Sequence, residues 1–84
     1  MIVTHDNDHQ SFKIITEGGE SILRYRVHAN VIDFYTTFVH PADRGSRVGV
    51  SLVKAAVDWA QQQGFSMQAS CWYVDKYLVK HSLK

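Results

Sequence analysis

Val31-Ile32-Asp33-Phe34-Tyr35-Thr36-Thr37-Phe38-Val39 runs into His40-Pro41 and then, through Ala42 to Arg47, into a stretch opening Val48-Gly49. The first nine residues are almost all β-branched or aromatic, which suits the half-buried surface of a strand. Pro41 has no N–H to give a ladder, so pairing stops there. From Val48 the period changes: Val48, Leu52, Ala55, Ala56, Trp59 and Ala60 recur at three- and four-residue steps, the mark of one apolar helix face. Gly64 stands where a left-handed cap residue would close that helix, which predicts Val48–Gln63. Phe65 to Cys71 then reads as a short strand. Strand, helix and strand in this order imply a right-handed crossover, with the last strand parallel to and beside the one at 31–39.

Upstream, Ser11-Phe12-Lys13-Ile14-Ile15-Thr16 is a strand closed by Glu17-Gly18-Gly19-Glu20, a hairpin turn signal. Ser21 to His28 alternates, with Leu23, Tyr25 and Val27 on one face and Arg24, Arg26 and His28 on the other. Ala29-Asn30 makes the next turn. Met1–Gln10 is polar, and no element is expected in it. Downstream, Val74, Tyr77 and Leu78 share one side of a short amphipathic helix over Tyr73–Lys80. The expected fold class is α+β, in the order β-β-β-α-β-α. It combines an antiparallel meander with a parallel last strand after the helix crossover.

The chain has 84 residues, 45% of them hydrophobic and 20% charged, with one proline, a composition that excludes a disordered or fibrous chain and allows one domain over residues 1–84. No apolar run nears the ~20 residues of a membrane span, and the N-terminal stretch lacks an ordinary secretory signal. The single cysteine, Cys71, leaves stability to packing and makes a reducing, cytoplasmic setting the default. A core this small supplies roughly 3–5 kcal/mol, so a homodimer or a bound cofactor would matter to stability. The net charge of +1 hides an asymmetry: residues 1–43 carry three cations and six acids, net −3, whereas residues 44–84 carry six cations and two acids, net +4. That basic half is too dilute for a nucleic-acid stripe but suits a small polyanion.

Chemistry is expected first at the strand-to-helix junction. A loop that delivers free backbone N–H groups into a helix N-terminus attracts phosphate, because unpaired amides and the positive dipole end point the same way. Gly45 and Gly49 would admit a close ligand, and Arg44 and Arg47 would donate to phosphate oxygens. A plain turn with solvated arginines fits the same residues. Cys71 is the second candidate: at the end of the last strand it either faces the crevice or serves as a small buried hydrophobe. Tyr73 and Tyr77 are phenols able to pass a proton, though core packing explains most aromatics in the chain. The five histidines have no triad partner in sequence. His5 and His9 would need a rigid strand pair or helix to hold a metal, so no metal is expected.

Taken together these segments resemble the small, single-domain branch of the GCN5-related N-acetyltransferase superfamily, the YjdJ-type proteins, over nearly the whole chain. Leu23-Arg24-Tyr25-Arg26 is similar to the family's second strand, and Val31 through Pro41 to its I-D-L-x-H-T-x-V-x-P segment. Arg44-Gly45-Ser46-Arg47-Val48-Gly49 falls on the R/Q-x-x-G-x-G/A loop, and Cys71-Trp72-Tyr73-Val74-Asp75-Lys76-Tyr77 on the branch's C-W-Y-x-x-K-Y. The resemblance implies acetyl-CoA as cosubstrate. Backbone amides of Gly45, Ser46, Val48 and Gly49 would meet the pyrophosphate, Arg44 and Arg47 would assist, and Phe38 and Val39 would pair with the pantetheine arm. It places Cys71 beside the acyl group, with Tyr73 as a second catalytic candidate, and implies acetyl transfer to the amine of a small molecule or protein. Two positions depart from the pattern. Arg47 stands for the loop's middle glycine, where it either strains the backbone or swings outward, and Thr36 stands for a histidine. Both departures suit the alternative, a non-catalytic CoA-binding or protein-interaction module on the same fold.

Overall fold

The computed structural model describes residues 1–84. Five strands form one sheet in sequence order: β1 (Thr4–Asp6), β2 (Ser11–Ile15), β3 (Glu20–His28), β4 (Val31–Phe38) and β5 (Ser66–Ala69). The first four pair antiparallel, and β5 runs parallel to β4, with Val31 opposite Ser66 and Phe34 opposite Ala69. Between them lie a 3₁₀ turn at Pro41–Asp43 and helix α1 (Val48–Gln63), and helix α2 (Trp72–Lys80) follows β5. The α+β architecture and the parallel last strand match the sequence reading.

Helix α1 has the predicted bounds and ends on Gly64, whose φ of 79° is left-handed. Its N-terminus has no side-chain cap and no acidic residue in the first turn. Packing therefore holds it: Leu52, Val53 and Val57 are essentially inaccessible, each contributing about 1.5–3 kcal/mol by burial. They meet Phe12, Ile14, Leu23, Tyr25, Ile32 and Phe34 from the sheet, and Val74 and Leu78 of α2 join the same cluster. Both helices thus cover one sheet face. The other face is left without a helix, and Arg24, Arg26, His28 and Phe38 stand exposed on it.

Three features differ from the expectation. Strand β1 is additional, because His5 behaves as a core aromatic. It stacks on Phe12 with ring centroids 4.1 Å apart, meets Trp59 edge-on at 4.5 Å, and places Nε2 2.6 Å from the Tyr25 hydroxyl. Burial holds the His5 imidazole below its ordinary 6.5, against the opposing pull of the Asp6 carboxylate. Strand β5 is shorter than Phe65–Cys71. The Asp33 carboxylate takes the Ser70 N–H and hydroxyl, both at 2.8 Å, which turns the chain out of the ladder and into α2. Finally, β4 carries a bulge. Arg24 faces Thr36 while Tyr25 faces Phe34, so Tyr35 is the extra residue.

Candidate functional site

The bulge decides what β4 presents. Before it, Ile32 and Phe34 face the helices; after it, Thr37 lies opposite the core residue Leu23 and takes over that face. Pairing with β5 stops at Phe34, where the Cys71 N–H donates to the Phe34 carbonyl at 3.0 Å. Beyond that point the outer edge of β4, from Tyr35 to Phe38, has no neighbouring strand. An unpaired edge of backbone donors and acceptors accepts an extended ligand as an added strand.

At the far end of this edge the chain forms the loop that the sequence singled out. His40 caps the 3₁₀ turn by accepting from the Ala42 N–H through Nδ1 at 3.2 Å. Asp43 ties the loop to the β2–β3 hairpin, its carboxylate accepting from the Thr16 hydroxyl at 2.5 Å. Its carbonyl accepts from both the N–H and the hydroxyl of Ser46. Gly45, at φ 83°, supplies the one left-handed residue the loop needs. Arg47 is the N-cap residue at φ −88°, ψ 4°, a negative φ in the bridge region open to any L side chain, so the loop needs no left-handed glycine there. The Ser46 N–H and the Val48 N–H are held internally, the latter by the Ser46 hydroxyl at 3.3 Å. The amides of Gly45, Arg47, Gly49 and Val50 have no partner within the protein. Four orphan donors thus lie at an uncapped helix N-terminus, with Arg44 and Arg47 exposed beside them, an arrangement whose electrostatics favour an anion.

Tyr73 joins the edge to the loop. It lies over Gly49 so closely that a Cβ there would come within 2.7 Å of its hydroxyl oxygen and 3.3 Å of Val39 Cγ2. One hollow of about 240 Å³ lies among Thr37, Phe38, Val39, Arg44 and Tyr73. A second, of about 180 Å³, continues it along Val39, Gly45, Ser46, Gly49 and Tyr73. Arg44 closes the outer side, with Nε donating to the Val39 carbonyl at 3.1 Å and its guanidinium 5.9 Å from the Phe38 ring. Of the sequence candidates, Phe38, Val39, Arg44, Gly45, Ser46, Gly49 and Tyr73 therefore line one groove. The Val48 side chain is in the core, and the Arg47 side chain extends from the rim without lining either hollow. Cys71 is the N-cap residue of α2, half-buried, with Sγ 3.6 Å from the Thr37 hydroxyl, so it touches the groove through Thr37. Thr37 and Asp43 were missed. Neither carries a sequence signal, because the bulge selects the first and a hairpin contact fixes the second.

A strand edge thus parts from its parallel neighbour beside an amide-rich helix N-terminus, in a mixed five-stranded sheet with both helices on one face. The chain belongs to the GCN5-related N-acetyltransferase family, whose model matches residues 11–83. It is 30% identical over 84 residues to Protein NATD1 of Mus musculus and of Gallus gallus, covering 96% of this chain and 76% of each relative. The Homo sapiens Protein NATD1 is likewise 30% identical over 84 residues, with 74% of its length covered.

Proposed function

We propose that this chain binds acetyl-CoA in the β4–Tyr73 groove and directs its acetyl group to an amine. The observation that carries the reading is the set of four unpartnered amides, Gly45, Arg47, Gly49 and Val50, at the end of an unpaired strand edge. Tyr73 and Val39 pack directly on Gly49, which leaves no room for a side chain beside its free amide. Gly45, Arg47, Gly49 and Val50 hold the pyrophosphate through N–H groups, and Arg44 adds a charged donor. The free edge at Thr37 and Phe38 holds the pantetheine amides, as a β-strand would. When bound, acetyl-CoA supplies an activated thioester.

The protein's own part is positioning and water exclusion. Tyr73 and Val39 cover the groove, and Cys71 with Thr37 marks its inner end. Transfer forms an N–C bond at the amine and breaks the C–S bond, leaving the coenzyme as its thiol and the product as an amide. The proton that the attacking amine loses passes to the departing sulfur; Tyr73, its hydroxyl over Gly49, covers the amide end of the groove. Thr36, exposed on the uncovered sheet face, cannot act as a base, so the amine must arrive neutral.

A ligand selective for the native state raises its melting temperature. Acetyl-CoA and CoA should each do so, and pantetheine, which lacks the pyrophosphate, should give much less. An unchanged melting curve at millimolar acetyl-CoA would refute the cofactor reading. A CoA-binding module without activity would show the shift but acetylate no member of an amine panel.

A further inference from the structure

The hollow at the amide end of the groove contains one acid. Asp43 lines it together with Arg44, Gly45, Ser46 and Gly49, and neither hollow has another carboxylate. No cation lies within salt-bridge distance of Asp43: the three ion pairs of the molecule are His9–Asp6, Lys54–Asp58 and Lys84–Asp75. Its carboxylate is held by the Thr16 hydroxyl alone, 2.5 Å from Oδ2. The Thr16 Oγ accepts from the Gly18 N–H at 3.1 Å, which leaves its one proton for Asp43. Thr16 is itself fixed by a reciprocal pair of backbone bonds with Gly19, at 3.0 and 3.2 Å. The β2–β3 turn lies directly on the loop. A Cβ on Gly18 would stand 2.7 Å from the Ala42 Cβ and 3.1 Å from Asp43 Oδ2, and one on Gly19 would stand 2.5 Å from His40 Cδ2. Ser21 adds a further tie, its Oγ accepting from the His40 N–H at 2.9 Å. The paired glycines therefore serve the contact with residues 40–43 as well as the turn.

A carboxylate in this place is a rival for the ligand. Asp43 is two residues from the free Gly45 amide, and a carboxylate accepts from backbone N–H and guanidinium groups much as a phosphate does. Its charge also opposes that of a phosphate lodged in the same hollow. We infer that Thr16 is a positioning residue for the phosphate end of the cofactor. It holds the Asp43 carboxylate against the β2–β3 turn and leaves the amides of Gly45, Arg47, Gly49 and Val50 to the phosphate oxygens. The assignment deepens the acetyl-CoA reading and rests on it. Thr16 lines neither hollow, so it acts through Asp43. Without the hydroxyl the carboxylate has no partner on the hairpin side and turns to the donors of the hollow, where it is an internal competitor.

Calorimetric titration with acetyl-CoA tests the assignment on four variants. Thr16→Val keeps the shape and removes the hydroxyl, and it should weaken binding by about tenfold or more, the order of one lost charge-assisted hydrogen bond to phosphate. Thr16→Ser restores the hydroxyl and should bind within about twofold of the wild type. Asp43→Asn keeps an acceptor for Thr16 without the charge, and it should bind at least as tightly as the wild type. The deciding protein carries Thr16→Val and Asp43→Asn together. With no charge to release, it should bind within about threefold of Asp43→Asn alone. A contact that only braces the loop predicts the opposite, because the double variant has lost it as fully as Thr16→Val has. Where Thr16→Val does not fold, Asp43→Glu and Asp43→Gln put the same question with Thr16 intact. Both side chains are one carbon too long for the Thr16 contact and differ only in charge, so the acid should bind about fivefold or more weakly than the amide. Wild-type affinity in Thr16→Val, a double variant as weak as Thr16→Val, or equal binding by Asp43→Glu and Asp43→Gln overturns the inference and leaves cofactor binding intact. A wild type whose melting temperature acetyl-CoA does not raise removes the cofactor reading and this one with it.

Discussion

Replacing Gly49 with alanine tests the groove with a single methyl. The new Cβ would stand 2.7 Å from the Tyr73 hydroxyl and 3.2 Å from its Cζ, so the ring must retreat by about 0.7 Å to regain an ordinary 3.4 Å contact. Tyr73 is 37% exposed and can swing outward. Forced repacking of this kind costs about 1–3 kcal/mol in a closed core, and an open flank reduces that. Alanine in place of helical glycine offsets about 0.5–1 kcal/mol. Global stability should therefore move by less than about 1 kcal/mol. Binding should move more. A hydrogen bond to a charged group is worth about 1.5–3 kcal/mol, and a displaced Tyr73 spoils both the cover and the approach to the Gly49 amide. Acetyl-CoA affinity should fall at least tenfold, near 1.4 kcal/mol, read by calorimetry. At a ligand concentration about 100 times the wild-type Kd, the stabilisation should drop from about 2.7 to about 1.4 kcal/mol. Tyr73→Ala removes the clash, so in that background Gly49→Ala should cost nothing further in stability. If the two substitutions are additive within about 0.5 kcal/mol, Tyr73 does not pack on Gly49. If Gly49→Ala binds acetyl-CoA as the wild type does, the helix N-terminus is not the phosphate site.

Arg47→Gly should leave the melting temperature nearly unchanged, because Arg47 already sits at an unstrained φ of −88°, and weaken acetyl-CoA binding by about 3–5-fold, as expected for an exposed cation worth about 0.5–1 kcal/mol. A gain in affinity would mean that the arginine blocks the loop. His5 should make stability fall with acid. The unfolded chain protonates His5 near 6.5 and the folded chain only at lower pH, so between those values the unfolded state binds more protons and the native state loses ground as pH falls. Melting temperature should drop from pH 7 to pH 5, and His5→Phe, which keeps the stack on Phe12, should flatten that drop; an unaltered slope would place the ring in solvent. Acetyl-CoA should slow alkylation of Cys71 by iodoacetamide at least tenfold, through occupancy at Thr37, 3.6 Å from Sγ. A single acetyl mass adduct formed without amine, and absent in Cys71→Ala, would assign Cys71 the further role of acyl carrier, whereas equal alkylation rates would remove Cys71 from the groove.

What could be read from the chain, and what could not, follows from how many residues each feature needs. Helix α1 was legible because its face repeats over sixteen residues, from Val48 to Gln63, and each repeat reports the same thing. The parallel β5 followed from chain order and handedness. The loop itself was partly legible: Gly45 permits the turn at φ 83°, and Gly45 and Gly49 keep free amides as expected, but Ser46 and Val48 are held internally and the amides of Arg47 and Val50 are free instead. Strand β1 was hidden because Thr4-His5-Asp6 has no aliphatic residue. Its only apolar contribution is an imidazole that becomes a core ring once Phe12 and Trp59 surround it. The bulge was hidden because Tyr35, Thr36, Thr37 and Phe38 all favour a strand and none favours a particular face. One extra residue there still moves Thr37 to the helix side and Tyr35 to the side of Arg26. The groove therefore depends on a register that no single position encodes. Gly49 and Tyr73 make the same point over a longer distance. In sequence Gly49 reads as room for a close ligand and Tyr73 as a phenol able to pass a proton; only the fold shows that the phenol takes that room, within 2.7 Å of where a Cβ would stand.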